Sequence, residues 1–153
     1  MNRRGASIRK WQSGVAAVEL AIVLPLLMVI LMEVVFFGRL LMAYTVVQKS
    51  AQAAARYMSM VRVEEMKSRD LSTAASNAGI NIAHTMLADL HLNGAELIDV
   101  QCDTVTCGGG SQLPQEVRVT IRCWLTDDIF NWVATGDYGL KITAQVTMKY
   151  IGY

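Results

Sequence analysis

The stretch "SGVAAVELAIVLPLLMVILMEVVFFGR", residues 13–39, decides the fold of this chain. Thirteen uncharged residues run from Leu20 to Met32, and beyond Glu33 the apolar character continues to Gly38. A helix rises 1.5 Å per residue, so residues 20–38 would extend about 28 Å, close to the roughly 30 Å of a bilayer's hydrocarbon core. The stretch therefore predicts one membrane-crossing helix.

The charges outside this stretch predict how the helix is oriented. Residues 1–14 contain four basic side chains and no acid, whereas the rest of the 153-residue chain has ten basic and thirteen acidic side chains. By the positive-inside rule the N-terminus faces the cytoplasm, and everything after Arg39 lies outside the inner membrane. The acidic remainder leaves no basic domain to hold nucleic acid.

Glu19 stands at the start of the apolar run, where a charge needs an explanation. A charged side chain at the centre of a bilayer costs about 3 kcal/mol or more, and it is rarely present without a use. The simplest interpretation is that Glu19 reaches the cytoplasmic interface and is stabilised by the dipole at the helix start. A functional role for the carboxylate is the alternative.

A secretory signal peptide also has a basic start and an apolar centre. The run here is longer than the usual core of about 7–15 residues. No good small-x-small cleavage site follows Met32. A signal anchor that is never cleaved fits these observations better, but it does not account for Gly14 or Glu19.

Two helical patterns follow the apolar run. The first predicts a continuous stem helix to about Met66, whose stripe packs either on the C-terminal domain or on neighbouring stems. A break at Ser68–Asp70 then starts a second amphipathic helix, which stops at Asn93-Gly94. The two stripes are Leu40, Tyr44, Val47, Ala51, Ala54, Met58 and Val61, and Leu71, Ala75, Ala78, Ile82, Met86 and Leu90.

The last third of the chain changes to an alternating pattern, which predicts three strands of a small antiparallel sheet. A hairpin connection, CGGGSQLP, joins the first two strands. Phe130 and Trp132 in a later loop either tuck under the sheet, which is the default expectation, or form a contact surface. The inward residues of the strands are Ile98, Val100 and Cys102; Val117, Val119, Ile121, Cys123 and Leu125; and Ile142, Ala144, Val146, Met148 and Tyr150.

Three cysteines, Cys102, Cys107 and Cys123, fall in the part predicted to be exported, where a disulfide is expected and one thiol is left over. Strand parity puts Cys102 and Cys123 on the same inward face and Cys107 outward. This favours a bond between Cys102 and Cys123. A loop closed by Cys102 and Cys107 is the competing pairing.

No enzyme motif is present in the sequence. His84 and His91 are seven residues apart, which is too far for the usual helical metal pair, and no third ligand is obvious. The glycines at 108–110 lack the following lysine and helix of a phosphate-binding loop. We therefore expect no catalytic residue, no metal, no cofactor and no small-molecule substrate.

Residues 13–57 resemble the TadE-like family of pilin-related proteins from the tight-adherence (Tad or Flp) branch of the type IV pilus systems. The similarity covers about a third of the chain and is specific as an ordered set. The matching features are the short basic leader, the Gly14/Val15 junction, Val18-Glu19, Leu24-Pro25-Leu26-Leu27, an acid followed by Gly38-Arg39, and the alanine-rich residues 51–56.

The resemblance implies processing and assembly. A prepilin peptidase would cut after Gly14 and free the amine of Val15. The carboxylate of Glu19 would then pair with an N-terminal amine, its own or a neighbour's, as the helices slide into a filament. An unpaired carboxylate is penalised in low dielectric, so this pairing would both align the subunit and favour its exit from the bilayer.

Three other residues of the apolar segment have simpler interpretations. Pro25 removes one backbone hydrogen bond and is expected to kink or loosen the helix. Glu33 and Arg39 are expected to mark the periplasmic boundary of the membrane, with Arg39 reaching into the headgroups.

We therefore expect an α+β, pilin-like protein: a long N-terminal helix, a second amphipathic helix and a small antiparallel sheet. Its expected segments are a cytoplasmic leader (1–14), a transmembrane helix (15–38), a periplasmic stem (39–66) and a helix-plus-sheet domain (67–153). The function implied is that of a minor pilin or pseudopilin in a pilus for adhesion and biofilm formation. Its partners would be the inner membrane, a prepilin peptidase, other pilin subunits and the assembly platform. The alternatives are an uncleaved, signal-anchored periplasmic binding module and a minor pseudopilin of type II secretion.

Overall fold

The computed structural model describes residues 8–90, 96–108, 113–125 and 139–153, with side chains from residue 14 onwards. The elements confirm the predicted α+β class, with a long apolar helix, further helices and a four-stranded antiparallel sheet. They are α1 (Ile8–Ser59), α2 (Val63–Lys67), α3 (Arg69–Leu87), a 3-10 turn (Ala88–Leu90), β1 (Leu97–Cys102), β2 (Val105–Thr106), β3 (Glu116–Leu125) and β4 (Leu140–Lys149).

The chain divides into two compact units, Met1–Arg39 and Leu40–Tyr153, which we call the N-terminal unit and the C-terminal unit. In the C-terminal unit, the predicted stripe of α1 is a core face, because Val47, Ala51, Ala54 and Met58 are fully buried. Tyr44, which the same periodicity placed in the stripe, is exposed. The buried stripe belongs to one apolar cluster together with residues of α3 and the sheet.

The prediction of a continuous stem helix to Met66 is wrong, because α1 ends at Ser59 and the chain turns before α2. At the end of α1, the carbonyls of Tyr57 and Met58 accept local hydrogen bonds from the N–H groups of Met60 and Val61, whereas the Ser59 carbonyl accepts from the distant N–H groups of Ile151 and Gly152. The Tyr150 hydroxyl donates to the Val61 carbonyl at 2.7 Å. Free carbonyls at a helix end need partners, and those of Ser59 come from residues that follow the last strand.

The predicted break at Ser68 and the second helix after it are confirmed by α3, for which Ser68 is the N-cap residue. Gly79 on this helix faces Met58 on α1: a Cβ at Gly79 would lie 3.2 Å from Met58 Cγ and 3.3 Å from Met58 Sδ. Glycine therefore allows α3 to approach α1 closely at this point. Asn93-Gly94, where the second helix was predicted to stop, lies outside the described residues, as do Phe130 and Trp132.

The sheet has the strand order β2-β1-β3-β4, with every neighbouring pair antiparallel. All five predicted inward residues of β3 are buried, and the inward residues of β1 and β4 are buried or half-buried, which confirms the predicted alternation. The short strand β2 was not predicted. It forms because the chain reverses at Asp103, whose positive φ of 57° sits at the turn. The carboxylate of this residue accepts hydrogen bonds from the N–H groups of Gln115 and Glu116.

The disulfide joins Cys102 to Cys107, with a Cα–Cα distance of 4.9 Å, so the favoured pairing of Cys102 with Cys123 is wrong. Parity gave the correct face for Cys102 and Cys123 but not their register. The pairing of β1 with β3 places Cys102 opposite Val117. Cys123 lies six residues further along β3, about 20 Å away at 3.4 Å per residue. Cys107 is buried rather than outward and follows β2 directly.

Candidate functional site

The candidate site is the part of α1 in the N-terminal unit, where large apolar side chains face outward instead of into a core. The segment from Gly14 belongs to a helix long and apolar enough to cross a membrane, and only 6% of its most apolar window is buried. A core helix of a soluble protein would be mostly buried. The helix is thus compatible with a single-pass membrane anchor. The exposed apolar residues here include Val15, Val18, Leu20, Ile22, Val23, Leu24, Leu26 and Leu27.

Glu19 is exposed on this helix. Residues three and four positions away on a helix are its surface neighbours, and for Glu19 these are Val15, Ala16, Ile22 and Val23. All four are apolar, so the carboxylate is an isolated charge on an apolar surface. No ion pair links it to any side chain that the structure describes.

Gly14 and Val15 lie inside α1, six and seven residues after its start, and both are exposed. A Cβ placed on Gly14 would meet no atom within 4 Å. Packing therefore does not require glycine at this position, and a glycine inside a helix costs about 1 kcal/mol relative to alanine. Gly38 stands in the same kind of open space further along the helix.

Pro25 also lies inside α1, which continues through it. Because proline has no N–H, the carbonyl of Ala21 lacks its usual helical donor. Glu33 and Arg39, at the far end of the segment, are both half-buried. The structure thus places all the predicted residues of the apolar segment on one helix, while the cysteines lie in the C-terminal unit.

Outside this segment, the described residues contain no group of three or more metal-ligating side chains. His84 contacts the Glu96 carboxylate through Nδ1, on the exposed surface. Burial, reinforced by the charge of Glu96, raises the pKa of the Cys123 thiol to about 11, so this cysteine is a neutral core residue at physiological pH.

Sequence periodicity missed two residues with clear structural roles, Asp103 at the sheet turn and Tyr150 at the end of α1. Asp103 follows a cysteine and precedes a threonine, and only an aspartate's preference for turns could have suggested its role. Tyr150 was predicted as an inward strand residue, and nothing local indicates that its hydroxyl reaches a carbonyl 89 positions away.

Comparisons with known proteins bear on the N-terminal part of the chain. A family model described as TadE-like protein matches residues 14–56, the range that begins at the Gly14/Val15 junction and contains Glu19. Neither the curated proteins nor the solved structures contain a match to the chain. The resemblance predicted from the sequence is confirmed: residues 14–56 match the TadE-like family, which implies a protein associated with the Tad pilus system.

Proposed function

We propose that this chain is a minor pilin or pseudopilin, cleaved after Gly14 by a prepilin peptidase, whose helix takes part in the assembly of a Tad/Flp-type pilus. The observation that carries the proposal is the coincidence of the TadE-like match with a helix whose apolar side chains face outward, with the Glu19 carboxylate near the start of the matched range. A helix of this kind must be covered by lipid or by other helices, and a pilin uses both in turn.

Gly14 supports the processing step. The fold gains nothing from a glycine at a position where a Cβ would meet no atom, and a helix loses about 1 kcal/mol by having one. A peptidase that must fit the backbone closely would require glycine there. The same lack of helix preference makes residues around Gly14 easier to unwind into the extended form that a peptidase binds.

Glu19 supports the assembly step. Cleavage after Gly14 would create an ammonium group at Val15, one helical turn from the carboxylate. Within an apolar bundle, a lone charge is strongly penalised, and an opposite charge beside it offsets much of that cost. If the amine belongs to a neighbouring subunit, the pair favours one register of the two helices over all others. If the amine is the subunit's own, the pair lowers the cost of burying the carboxylate among apolar helices.

The C-terminal unit supports a minor rather than a major subunit. Cleavage would leave 139 residues, including a disulfide-bonded sheet that shares one buried core with α1 and α3. A major subunit of this pilus branch is little more than the helix. We propose that the C-terminal unit lies in the periplasm and caps or adapts the filament, that the chain is not an enzyme, and that adhesion and biofilm formation follow from the pilus.

Replacing Glu19 tests the assembly role. Glu19→Gln keeps the shape of the side chain and removes its charge, so we expect normal amounts of membrane protein but a loss of pili on the cell surface. Glu33→Gln is the matched control, because it removes an acid from the same helix and should leave piliation near the wild-type level. Pili sheared from cells are counted by electron microscopy, and normal piliation in Glu19→Gln would contradict the assembly role.

One observation favours a second candidate, a signal-anchored periplasmic binding module that is never cleaved. The Gly14–Val15 bond lies within regular helix rather than in an extended segment ready for a protease. Such a module would keep residues 1–14 in cells and would be absent from sheared pili. The state of the mature N-terminus therefore separates the two candidates.

A further inference from the structure

The outer face of the sheet concentrates positive charge. We define this face as the side chains of β1, β3 and β4 that alternate with the buried inward ones. It carries four basic residues and two acidic ones, whereas the C-terminal unit as a whole has nine basic and eleven acidic side chains. The basic residues are Arg118, Arg122, Lys141 and Lys149, and the acidic ones are Asp99 and Glu116.

Because of the strand register, the four basic residues lie along one line on β3 and β4. Lys141 is opposite Trp124, Arg122 opposite Thr143, Arg118 opposite Thr147, and Lys149 opposite Glu116. From the Trp124 row to the Glu116 row is eight residues, or about 27 Å along the strands. The cations thus follow β3 and β4 from one end of the sheet to the other.

Most of these cations lack an acidic partner. Arg118 is the exception, because its guanidinium lies 3.2 Å from the Glu116 carboxylate. Arg122, Lys141 and Lys149 are exposed and form no ion pair with a residue that the structure describes. Their charge is therefore available to a ligand at close range, where screening by salt is least effective.

The other side chains of the outer face are neutral, and several of them can form hydrogen bonds with the hydroxyl groups of a ligand. Thr143, Gln145 and Thr147 are exposed along β4, and their hydroxyl and amide groups both donate and accept hydrogen bonds. Trp124, half-buried beside Lys141, offers an aromatic surface at one end of the line. An aromatic ring, an amide and hydroxyls on one face of a sheet match the apolar faces and hydroxyl groups of sugar rings.

We propose that the outer face of this sheet binds an acidic polysaccharide along β3 and β4, with its carboxylates at Arg122, Lys141 and Lys149 and a sugar ring on Trp124. The face has only two more basic than acidic residues, which suits a polysaccharide with about one charge per sugar. DNA fits less well, because its charges are spaced at roughly 1.7 Å in the duplex and 3.4 Å along a single strand, far denser than the few cations of this face. The inference concerns the C-terminal unit alone and does not depend on cleavage after Gly14.

The test uses the full chain in nonionic detergent, with alginate immobilised on a sensor and neutral dextran and single-stranded DNA as comparison surfaces. A triple variant, Arg122→Gln with Lys141→Gln and Lys149→Gln, removes the free cations of the outer face. Its matched control, Arg69→Gln with Lys49→Gln and Lys67→Gln, removes the same charge from exposed positions elsewhere in the C-terminal unit. A variant with Arg122→Lys, Lys141→Arg and Lys149→Arg keeps the outer charge.

We expect the wild-type chain to bind alginate in preference to dextran and DNA, and to lose affinity between about 0.01 M and 0.15 M salt as the Debye length falls from about 30 Å to 8 Å. The outer triple variant should bind about tenfold more weakly or worse, while the control triple and the charge-keeping variant stay within about twofold. Trp124→Ala should weaken alginate binding at unchanged charge.

Three results would overturn the proposal. Equal losses in the two neutralised triple variants would mean that net charge, not the outer face, attracts the polymer. Tighter binding to DNA than to alginate would assign the face to nucleic acid. No binding to alginate at the lowest salt would show that the face is an ordinary solvated surface. Circular dichroism of each variant shows whether the sheet is intact, and the charge-keeping variant separates lost charge from lost folding.

Discussion

Among single residues, Cys123 makes the most direct prediction, because its thiol is wholly buried in the sheet. Burial, with a smaller contribution from Glu96, raises its pKa from 9.0 to about 11. The thiolate is the reactive form, so the folded chain should not react with iodoacetamide near pH 8, while the unfolded chain should react at once. Rapid alkylation of Cys123 in the folded chain, followed by mass spectrometry, would contradict this placement.

The same pKa predicts a change of stability with pH. Below about pH 9 the thiol is neutral in both states, so its contribution to stability is fully present. Between pH 9 and 11 only the unfolded state loses the proton. The free energy of unfolding of the wild-type chain therefore falls by on the order of 2 kcal/mol, and that of Cys123→Ala does not. Denaturant unfolding of both chains at several pH values, followed by circular dichroism, measures the difference, which should narrow as the pH rises. A constant difference would contradict the raised pKa.

At the scale of elements, the end of α1 depends on the last residues of the chain. Tyr150→Phe removes the hydroxyl that bonds the Val61 carbonyl and leaves that carbonyl without this donor. We expect a loss of about 1 kcal/mol in the free energy of unfolding. Tyr57→Phe is the matched control, because the Tyr57 hydroxyl has no hydrogen-bond partner among the described residues. Equal stabilities of the two variants would mean that the end of α1 is not held in this way.

The disulfide belongs to the same scale, because it closes the hairpin of β1 and β2. Replacing Cys102 and Cys107 by serine should cost about 2 kcal/mol, the entropy of a six-residue loop. Trypsin cuts after Arg118 and Arg122, which separates Cys123 from the peptide 70–118 that holds both other cysteines. Non-reducing peptide mapping should therefore find the bond within one peptide, and a peptide linked to Cys123 would contradict the observed pairing.

Periodicity predicted which faces of the elements are buried but not where the elements stop or how they align. The stripe of α1 and the inward residues of β3 were correct because burial repeats with the geometry of each element. The helix end was missed because the Ser59 carbonyl takes its donors from Ile151 and Gly152, which no local pattern connects to Ser59. The disulfide was missed because parity fixes the face of a strand residue and leaves its position along the neighbouring strand open.

On the scale of the whole molecule, the two units differ in what covers their apolar side chains. The C-terminal unit buries its own on α3 and the sheet, whereas the N-terminal unit leaves them exposed around Glu19. Sequence alone predicted the long apolar helix of the N-terminal unit and its resemblance to the TadE-like family, because both depend on composition and order rather than on tertiary contacts. The match of the TadE-like family is confined to residues 14–56, so the fold of the rest comes from the structure.

The most direct test of the proposed function is the N-terminus of the mature chain. Mass spectrometry of the protein from native membranes, with and without the prepilin peptidase, should find a peptidase-dependent start at Val15. Gly14→Ala should abolish that start. Gly38→Ala, at the other glycine in open space on α1, should leave it unchanged. A start at Met1 or Asn2 in every sample would contradict the pilin account and leave a permanently anchored periplasmic module.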